Sequence, residues 1–159
     1  MSLRIGHGYD VHAFGPGTNI TLASCRIPHD QGVIAHSDGD VVIHALCDAI
    51  LGALAMGDIG DHFPDTDLKY KGINSGELLK EVYSLANEKG WILCNADITL
   101  IAQAPKVSPY KQQMRSNLAE LLHCQPDQVN IKATTTEHMG FIGRKEGLAS
   151  YAVVLLTKA

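Results

Sequence analysis

No two of the four cysteines stand close together: Cys25, Cys47, Cys94 and Cys124 are scattered along the chain. That spacing excludes a thiolate zinc site and a disulfide framework, and it leaves four free, partly buried thiols. No apolar run is able to span a bilayer, because residues 41–56 are interrupted by His44 and Asp48. The first seven residues hold no apolar signal core, which places the protein in the cytoplasm unless a transit peptide was removed from a longer precursor. Glycine-rich phosphate loops are missing: Gly6 and Gly8 lack the third glycine of a dinucleotide fingerprint, and no Gly-Lys-Ser/Thr run occurs. A net charge of −4 gives no basis for nucleic-acid binding. Internal repeats, low-complexity tracts and interdomain linkers are also lacking. The chain, residues 1–159, therefore reads as one domain able to bury about 70% of its unfolded surface. Its 45% apolar and 19% charged residues suit a globular protein.

Cations are scarce where acids are dense. Residues 1–67 hold nine of the eleven Asp and six of the eight His, but only Arg4 and Arg26 as cations, a formal charge of −7 against +3 for the remainder. Two carboxylates about 4 Å apart repel by about 4 kcal/mol at an effective dielectric near 20. Packed together, these groups favour a bound cation; spread over a surface, they need none.

Residues 3–14 read as a strand, with Leu3, Ile5, His7, Tyr9 and Val11 on one face and Arg4, Gly6, Gly8, Asp10 and His12 on the other. Gly6 and Gly8 leave room above their face for something to approach closely. Gly15-Pro16-Gly17 is a turn, and 21–27 reads as a short strand. Asp40 is a helix N-cap and Gly57 a C′ residue, bracketing a nearly all-apolar helix of about four turns. Residues 58–67 are too acidic and turn-rich for regular structure. Asn74 with Glu77 resembles a capping box opening a helix over 75–89. A strand over 91–103 follows, closed by Ala104-Pro105-Lys106. Ser108 as N-cap and Pro109 at the first position open a third helix to about 122. Strands over 129–135 and 148–157 flank a loop at 138–146. The pattern predicts a small α/β or α+β sandwich, one sheet covered by helices.

Asp40, His44 and Asp48 break the apolar character of the first helix at four-residue spacing, which stacks them on one face. Asp10 and His12, two apart, project side by side from the first strand. Set against the helix, Asp10, His12 and His44 converge into a common catalytic zinc set, three protein ligands with the fourth position open. The plainer reading is a satisfied cap and one polar helix edge. Thr134-Thr135-Thr136-Glu137 ends a strand with hydroxyls and amides suited to phosphate oxygens and a carboxylate suited to a hard cation such as magnesium. Exposed β-favouring threonines are the alternative.

Six motifs in order resemble those of the 2-C-methyl-D-erythritol 2,4-cyclodiphosphate synthase family: Gly6-His7-Gly8-Tyr9-Asp10-Val11-His12, His36-Ser37-Asp38-Gly39-Asp40, Asp58-Ile59-Gly60, Phe63-Pro64-Asp65-Thr66-Asp67, Ala102-Gln103-Ala104-Pro105-Lys106 and Lys132-Ala133-Thr134-Thr135-Thr136-Glu137. The resemblance spans nearly the whole chain. It implies a ferredoxin-like α+β fold, one mainly four-stranded sheet with helices on one face, assembled as a homotrimer with active sites between subunits. It implies one zinc ion per subunit on Asp10, His12 and His44, and magnesium or manganese with the substrate diphosphate, which Glu137 helps to hold. His36 and Thr135 become the pair positioning the reacting phosphates. Ser37, Asp58, Ile59, Gly60 and the motif from Phe63 through Pro64, Asp65 and Thr66 to Asp67 contact the substrate. Ala102, Gln103, Ala104, Pro105 and Lys106 hold the cytosine, and Thr134, Thr135, Thr136 and Glu137 the diphosphate. Phe141 and Arg144 match positions near a threefold axis, where an isoprenoid phosphate can sit in an apolar channel. Asp40 and Asp48 are assigned to supporting the metal ligands from behind or to the substrate side. No cytidylyltransferase domain, of the kind fused to some members, accompanies these motifs. The implied reaction expels CMP as a phosphate attacks a diphosphate within one molecule. Two rivals stay open on the residues alone: a zinc hydrolase with Asp38 or Asp65 as base, and a non-catalytic metal- or nucleotide-binding module.

Overall fold

A computed structural model describes residues 2–159. In chain order the elements are β1 (Leu3–Gly15), β2 (Asn19–Leu22), β3 (Cys25–Pro28), β4 (Gly32–Val33), α1 (Val41–Ala53), α2 (Ile59–His62), α3 (Ser75–Glu88), β5 (Trp91–Ile101), α4 (Lys111–Leu121), β6 (Val129–Thr134), α5 (Gly140–Gly143) and β7 (Gly147–Lys158). One mixed sheet has the order β4-β1-β7-β5-β6, parallel only between β5 and β6; β2 and β3 form a separate hairpin. The sheet is thus five-stranded: the four long strands expected, extended by two-residue β4 beside Phe14 and Gly15.

Helix α1 lies across β1 and β7, and ten of its thirteen residues are buried. Glycine makes this possible. A Cβ on Gly8 would stand 1.8 Å from the Ala45 carbonyl oxygen, and one on Gly6 equally close to that of Ala49. The helix backbone therefore rests directly on the strand. The other face of β1 is the apolar one, and it is bare: Ile5 is 72% exposed, with Leu3, Tyr9 and Val11 alongside and Tyr151 and Val153 of β7 beside them. In β5, a bulge between Leu93 and Asn95 shifts the alternation by one, so Ala96, Ile98 and Leu100 still face the core.

Several local expectations are corrected. Helix α1 stops at Ala53, not near Gly57. Ala55, with φ 56°, closes it as a Schellman motif, its N–H on Gly52 and that of Met56 on Leu51, each at 3.0 Å. Segment 21–27 is a hairpin turning at Ala23 and Ser24, both at positive φ with no glycine to announce it. The acidic stretch after α1 includes α2, capped by Asp58 and Asp61 reciprocally. Asn74 caps α3 through the Gly76 amide, whereas Glu77 pairs with Lys80 instead of completing a box. Ser108 makes no capping bond; a 3-10 turn over Ser108–Tyr110 leads into α4. The loop after β6 contains α5. All four cysteines are free. Among the described residues no helix is long and apolar enough to cross a membrane.

Candidate metal centre and substrate cleft

Alternation along β1 puts Asp10 and His12 on the face that α1 covers, and α1 brings His44 to them. The three are the one group of His, Cys, Asp or Glu side chains placed to hold a metal among the described residues. His12 Nε2 and His44 Nδ1 each lie 3.1 Å from Asp10 Oδ2 and 3.2 Å from one another. Bonds of about 2.0–2.1 Å in a tetrahedral set hold zinc's donor atoms about 3.3 Å apart. The near-equilateral triangle fits such an ion. The donor set, two imidazoles and one carboxylate, leaves a fourth position open toward the cleft. Burial alone raises the Asp10 carboxyl, but hydrogen bonds and charge from His12 and His44 bring it down to about 2. Burial opposes a charge on His44, yet the Asp10 hydrogen bond and charge, with Asp40 and Asp38 beyond, raise its pKa overall.

The Nε2 edge of His44 meets two hydroxyls, Ser75 Oγ at 2.9 Å and Ser37 Oγ at 3.2 Å. Ser75, fully buried as the first residue of α3, donates its hydroxyl to Asp38, whose other oxygen accepts the Ser75 amide at 3.0 Å. Sequence reasoning missed Ser75, which looked like an ordinary helix-start serine. Asp38 also accepts the Asp40 amide. It is therefore occupied, unlike a free base for water.

Asp40 and Asp48 share the helix face of His44 but meet other partners. Asp40 is fully buried and accepts the amides of Ala23, Ser24 and Ile43 at 2.8–3.1 Å, tying the β2–β3 turn to the start of α1. Complete burial pushes its carboxyl up against the pull of those donors. Asp48 accepts the Ile59 amide at 2.7 Å and thereby anchors α2; its pKa is raised, chiefly by burial.

Above the triad opens a cleft of about 370 Å³. Of the predicted residues, His36 and Ser37 line it with Ile59 and Gly60, and so do Phe63, Asp65 and Asp67. Asp58, Pro64 and Thr66 belong to the same segments but are not among the residues that line the cleft. Ala35, Tyr70, Lys71, Ile73 and Leu78 complete it unforeseen. Lys71 is the cation among these acids, and nothing in its sequence setting sets it apart from a surface lysine.

The remaining predicted residues form a second group. Residues 102–106 follow β5 and residues 134–137 end and follow β6; the Ala102 amide donates to the Thr134 carbonyl, and His138 N–H to Gln103 Oε1. Thr135 Oγ1 accepts the Glu137 amide, Thr136 Oγ1 donates to the Met139 carbonyl, and Glu137 and His138 sit at φ 53° and 62°. None of Ala104, Pro105, Lys106 or this group's other members lines the cleft. Thr134 is level with Val11 through Ile101 and Ala149, but it stands three strands away, about 14 Å. On α5 and its C-cap, Phe141 is exposed and Arg144 pairs with Glu146 at 2.9 Å.

Comparison with known proteins gives the following likenesses. The YgbB family matches residues 3–157. The chain is 59% identical over 159 residues, all of it and 98% of the relative, to the 2-C-methyl-D-erythritol 2,4-cyclodiphosphate synthase of Pseudoalteromonas atlantica. It is 61% identical to that of Proteus mirabilis over 98% of both chains. Among solved structures, the bifunctional IspDF from Campylobacter jejuni superposes with a TM-score of 0.96 at 49% identity, covering 99% of this chain and 43% of that longer one. A CDP complex of IspF from Plasmodium falciparum gives 0.88 at 34% identity, covering 99% and 97%.

Proposed function

The chain belongs to the YgbB family of 2-C-methyl-D-erythritol 2,4-cyclodiphosphate synthases, and on that premise we propose how its residues carry out the family's ring closure. The reaction is a metal-dependent cyclisation in the non-mevalonate route to isoprenoid precursors. In 4-diphosphocytidyl-2-C-methyl-D-erythritol 2-phosphate, the 2-phosphate attacks the β-phosphate, the bond to CMP breaks, and CMP leaves as the eight-membered ring closes. The attacking phosphate is already ionised, so no side chain has to generate a nucleophile. The demand on the protein is to hold two anions together in line.

Asp10, His12 and His44 would hold a zinc ion, which would supply Lewis acidity and charge neutralisation for the repelling phosphates, and Glu137 would help to hold magnesium or manganese at the diphosphate. His36 and Ser37, beside the triad, bind and orient phosphate oxygens. Asp58, Ile59 and Gly60, with the 63–67 segment, bind the erythritol hydroxyls and carbon skeleton, and Phe63 keeps water from that side. The cytosine ring is held by residues 102–106 and the diphosphate by residues 134–137, with Thr135 opposite His36.

Residues 102–106 and 134–137 serve the cleft of a neighbouring subunit in a homotrimer with this ferredoxin-like chain as its repeating single domain. Two observations support that reading: the strand separation between the two groups, and the bare apolar face of β1 and β7. Phe141 and Arg144 then face the trimer axis, where an isoprenoid phosphate fits an apolar channel. The enzyme works in the cytoplasm.

The triad's donor spacing is the observation that carries the proposal. Its test uses two variants, His44→Ala and Thr135→Ala, each expected to be inactive. Co-expressed in equal amounts, they restore about a quarter of wild-type sites if each site draws on two subunits and assembly is random. Cyclic product and CMP are read by phosphorus NMR; no restored activity refutes the shared site. Linear phosphate products from the wild type refute ring closure.

A further inference from the structure

Behind the triad stand Asp38 and Ser75, two residues that do not line the cleft. Ser75 Oγ is within 2.9 Å of His44 Nε2 and hydrogen-bonded to Asp38, and both contacts converge on a side chain with no solvent exposure. A serine hydroxyl has one proton and two lone pairs, whereas a carboxylate only accepts. The Ser75 proton therefore goes to Asp38, and a lone pair faces His44. Reversing it would set two oxygen lone pairs against each other at contact distance. In the neutral ring, the form able to bind a metal, Nε2 must then carry the single imidazole proton, and Nδ1, facing Asp10 and His12, is bare.

We propose that Asp38 and Ser75 are positioning residues that fix the His44 tautomer, so that Nδ1 is presented as a metal ligand; this rests on the metal reading above. The backbone builds the relay into the fold. Asp38 precedes α1 by three residues, and its carboxylate accepts both the Asp40 amide at the start of α1 and the Ser75 amide at the start of α3. The N-termini of two helices thus converge on one carboxylate, which sets the distance from Ser75 to His44 on α1. Ser37, also near Nε2 at 3.2 Å, is the poorer acceptor: it is farther away and lines the open cleft. With the N–H committed to Ser75, the Ser37 hydroxyl is free to turn toward substrate. A histidine ligand whose far nitrogen is held by a hydrogen-bonded partner binds its metal more tightly, and removing such a partner weakens binding by about 10- to 100-fold.

Zinc dissociation constants are measured on purified full-length protein by competition with a chromophoric chelator, beside the Tm of each metal-free variant. Ser75→Ala is expected to weaken zinc by roughly 10- to 100-fold. The near-isosteric Asp38→Asn is expected to weaken it in the presence of Ser75 and to add nothing in the Ser75→Ala, Asp38→Asn double variant, because Asp38 acts on the metal only through that hydroxyl. A purely structural role moves Tm and leaves affinity in place. Wild-type zinc affinity in either single variant overturns the inference, as do losses that add in the double variant. Failure of the wild type to bind zinc overturns the inference and the metal reading together, whereas tight wild-type binding with unaffected variants overturns the relay alone.

Discussion

Gly8→Ala is the change by which one methyl group should weaken both the fold and the metal centre. The new Cβ would stand 1.8 Å from the Ala45 carbonyl oxygen and 2.8 Å from its carbon, whereas real Cβ atoms essentially never come within 3.0 Å of another heavy atom. Strand and helix must part by roughly 1.2 Å or more, and the obstacle is backbone, which has no rotamer to escape into. Overpacking against a flexible side chain costs about 1–3 kcal/mol; here the upper end is the expectation, a fall in Tm of about 6–12 °C for a chain of this size. The consequence for function is sharper. Ala45 adjoins His44, so the helix carries one zinc ligand away from the two on β1, and a metal site tolerates only about 0.2 Å in its bond lengths. Zinc affinity should fall by more than stability alone explains. Gly52→Ala is the control: it is exposed on the same helix, with no neighbouring atom nearer than 4.0 Å to the added carbon. Helix propensity then favours alanine by about 0.5–1 kcal/mol, raising Tm by about 1–4 °C with unchanged zinc binding. Thermal melts and chelator competition on both variants decide it. A Gly8→Ala protein that melts and binds zinc like wild type would refute the direct packing of α1 on β1.

Asp40→Ala strips the acceptor from three amides, two of them buried, and should lower stability by about 3–5 kcal/mol. Denaturant titration checks this, and altered KM with unchanged stability would instead put Asp40 on the substrate side. Asp48→Ala releases the Ile59 amide and loosens α2, so KM should rise several-fold with a smaller change in kcat, read from steady-state kinetics; unchanged KM would show that α2 holds its place without the anchor. Metal-free and zinc-loaded protein should respond to pH in opposite directions. The raised His44 pKa means that its charged form stabilises the metal-free fold fully below about pH 6.5, a contribution lost as pH rises through the folded value. Zinc needs the neutral ring, so binding releases a proton and tightens as pH rises. The gap in Tm between the two forms should widen from pH 6 to 8, and a gap that narrows would contradict the ion pair.

The parts legible in the sequence were those decided by short-range spacing. Asp10 and His12 had to share a face because strand side chains alternate, and Gly6 and Gly8 left room on that face for a close neighbour, as strand glycines often do. The β2–β3 turn was hidden for the opposite reason. Alanine and serine have little preference for positive φ, and what stabilises it there is Asp40, sixteen and seventeen residues onward, whose carboxylate accepts both turn amides. Ser75 was hidden likewise: its partners, Asp38 and His44, lie more than thirty residues upstream.

The polar stripe on α1 shows where such reasoning stops, and why. Spacing of four residues correctly placed Asp40, His44 and Asp48 along one side of the helix. Yet eight residues of helix extend about 12 Å, far more than the few ångströms over which a metal gathers its donors. Each residue of the stripe therefore meets a different neighbour: Asp40 the hairpin turn, His44 the β1 ligands, Asp48 the amide opening α2. Helical periodicity gives the direction in which a side chain points, whereas its partner depends on which strand or loop crosses at that height. That crossing is set by the glycine contact with β1, two residues of which, Gly8 and Asp10, fix the height of the helix and the position of the metal together.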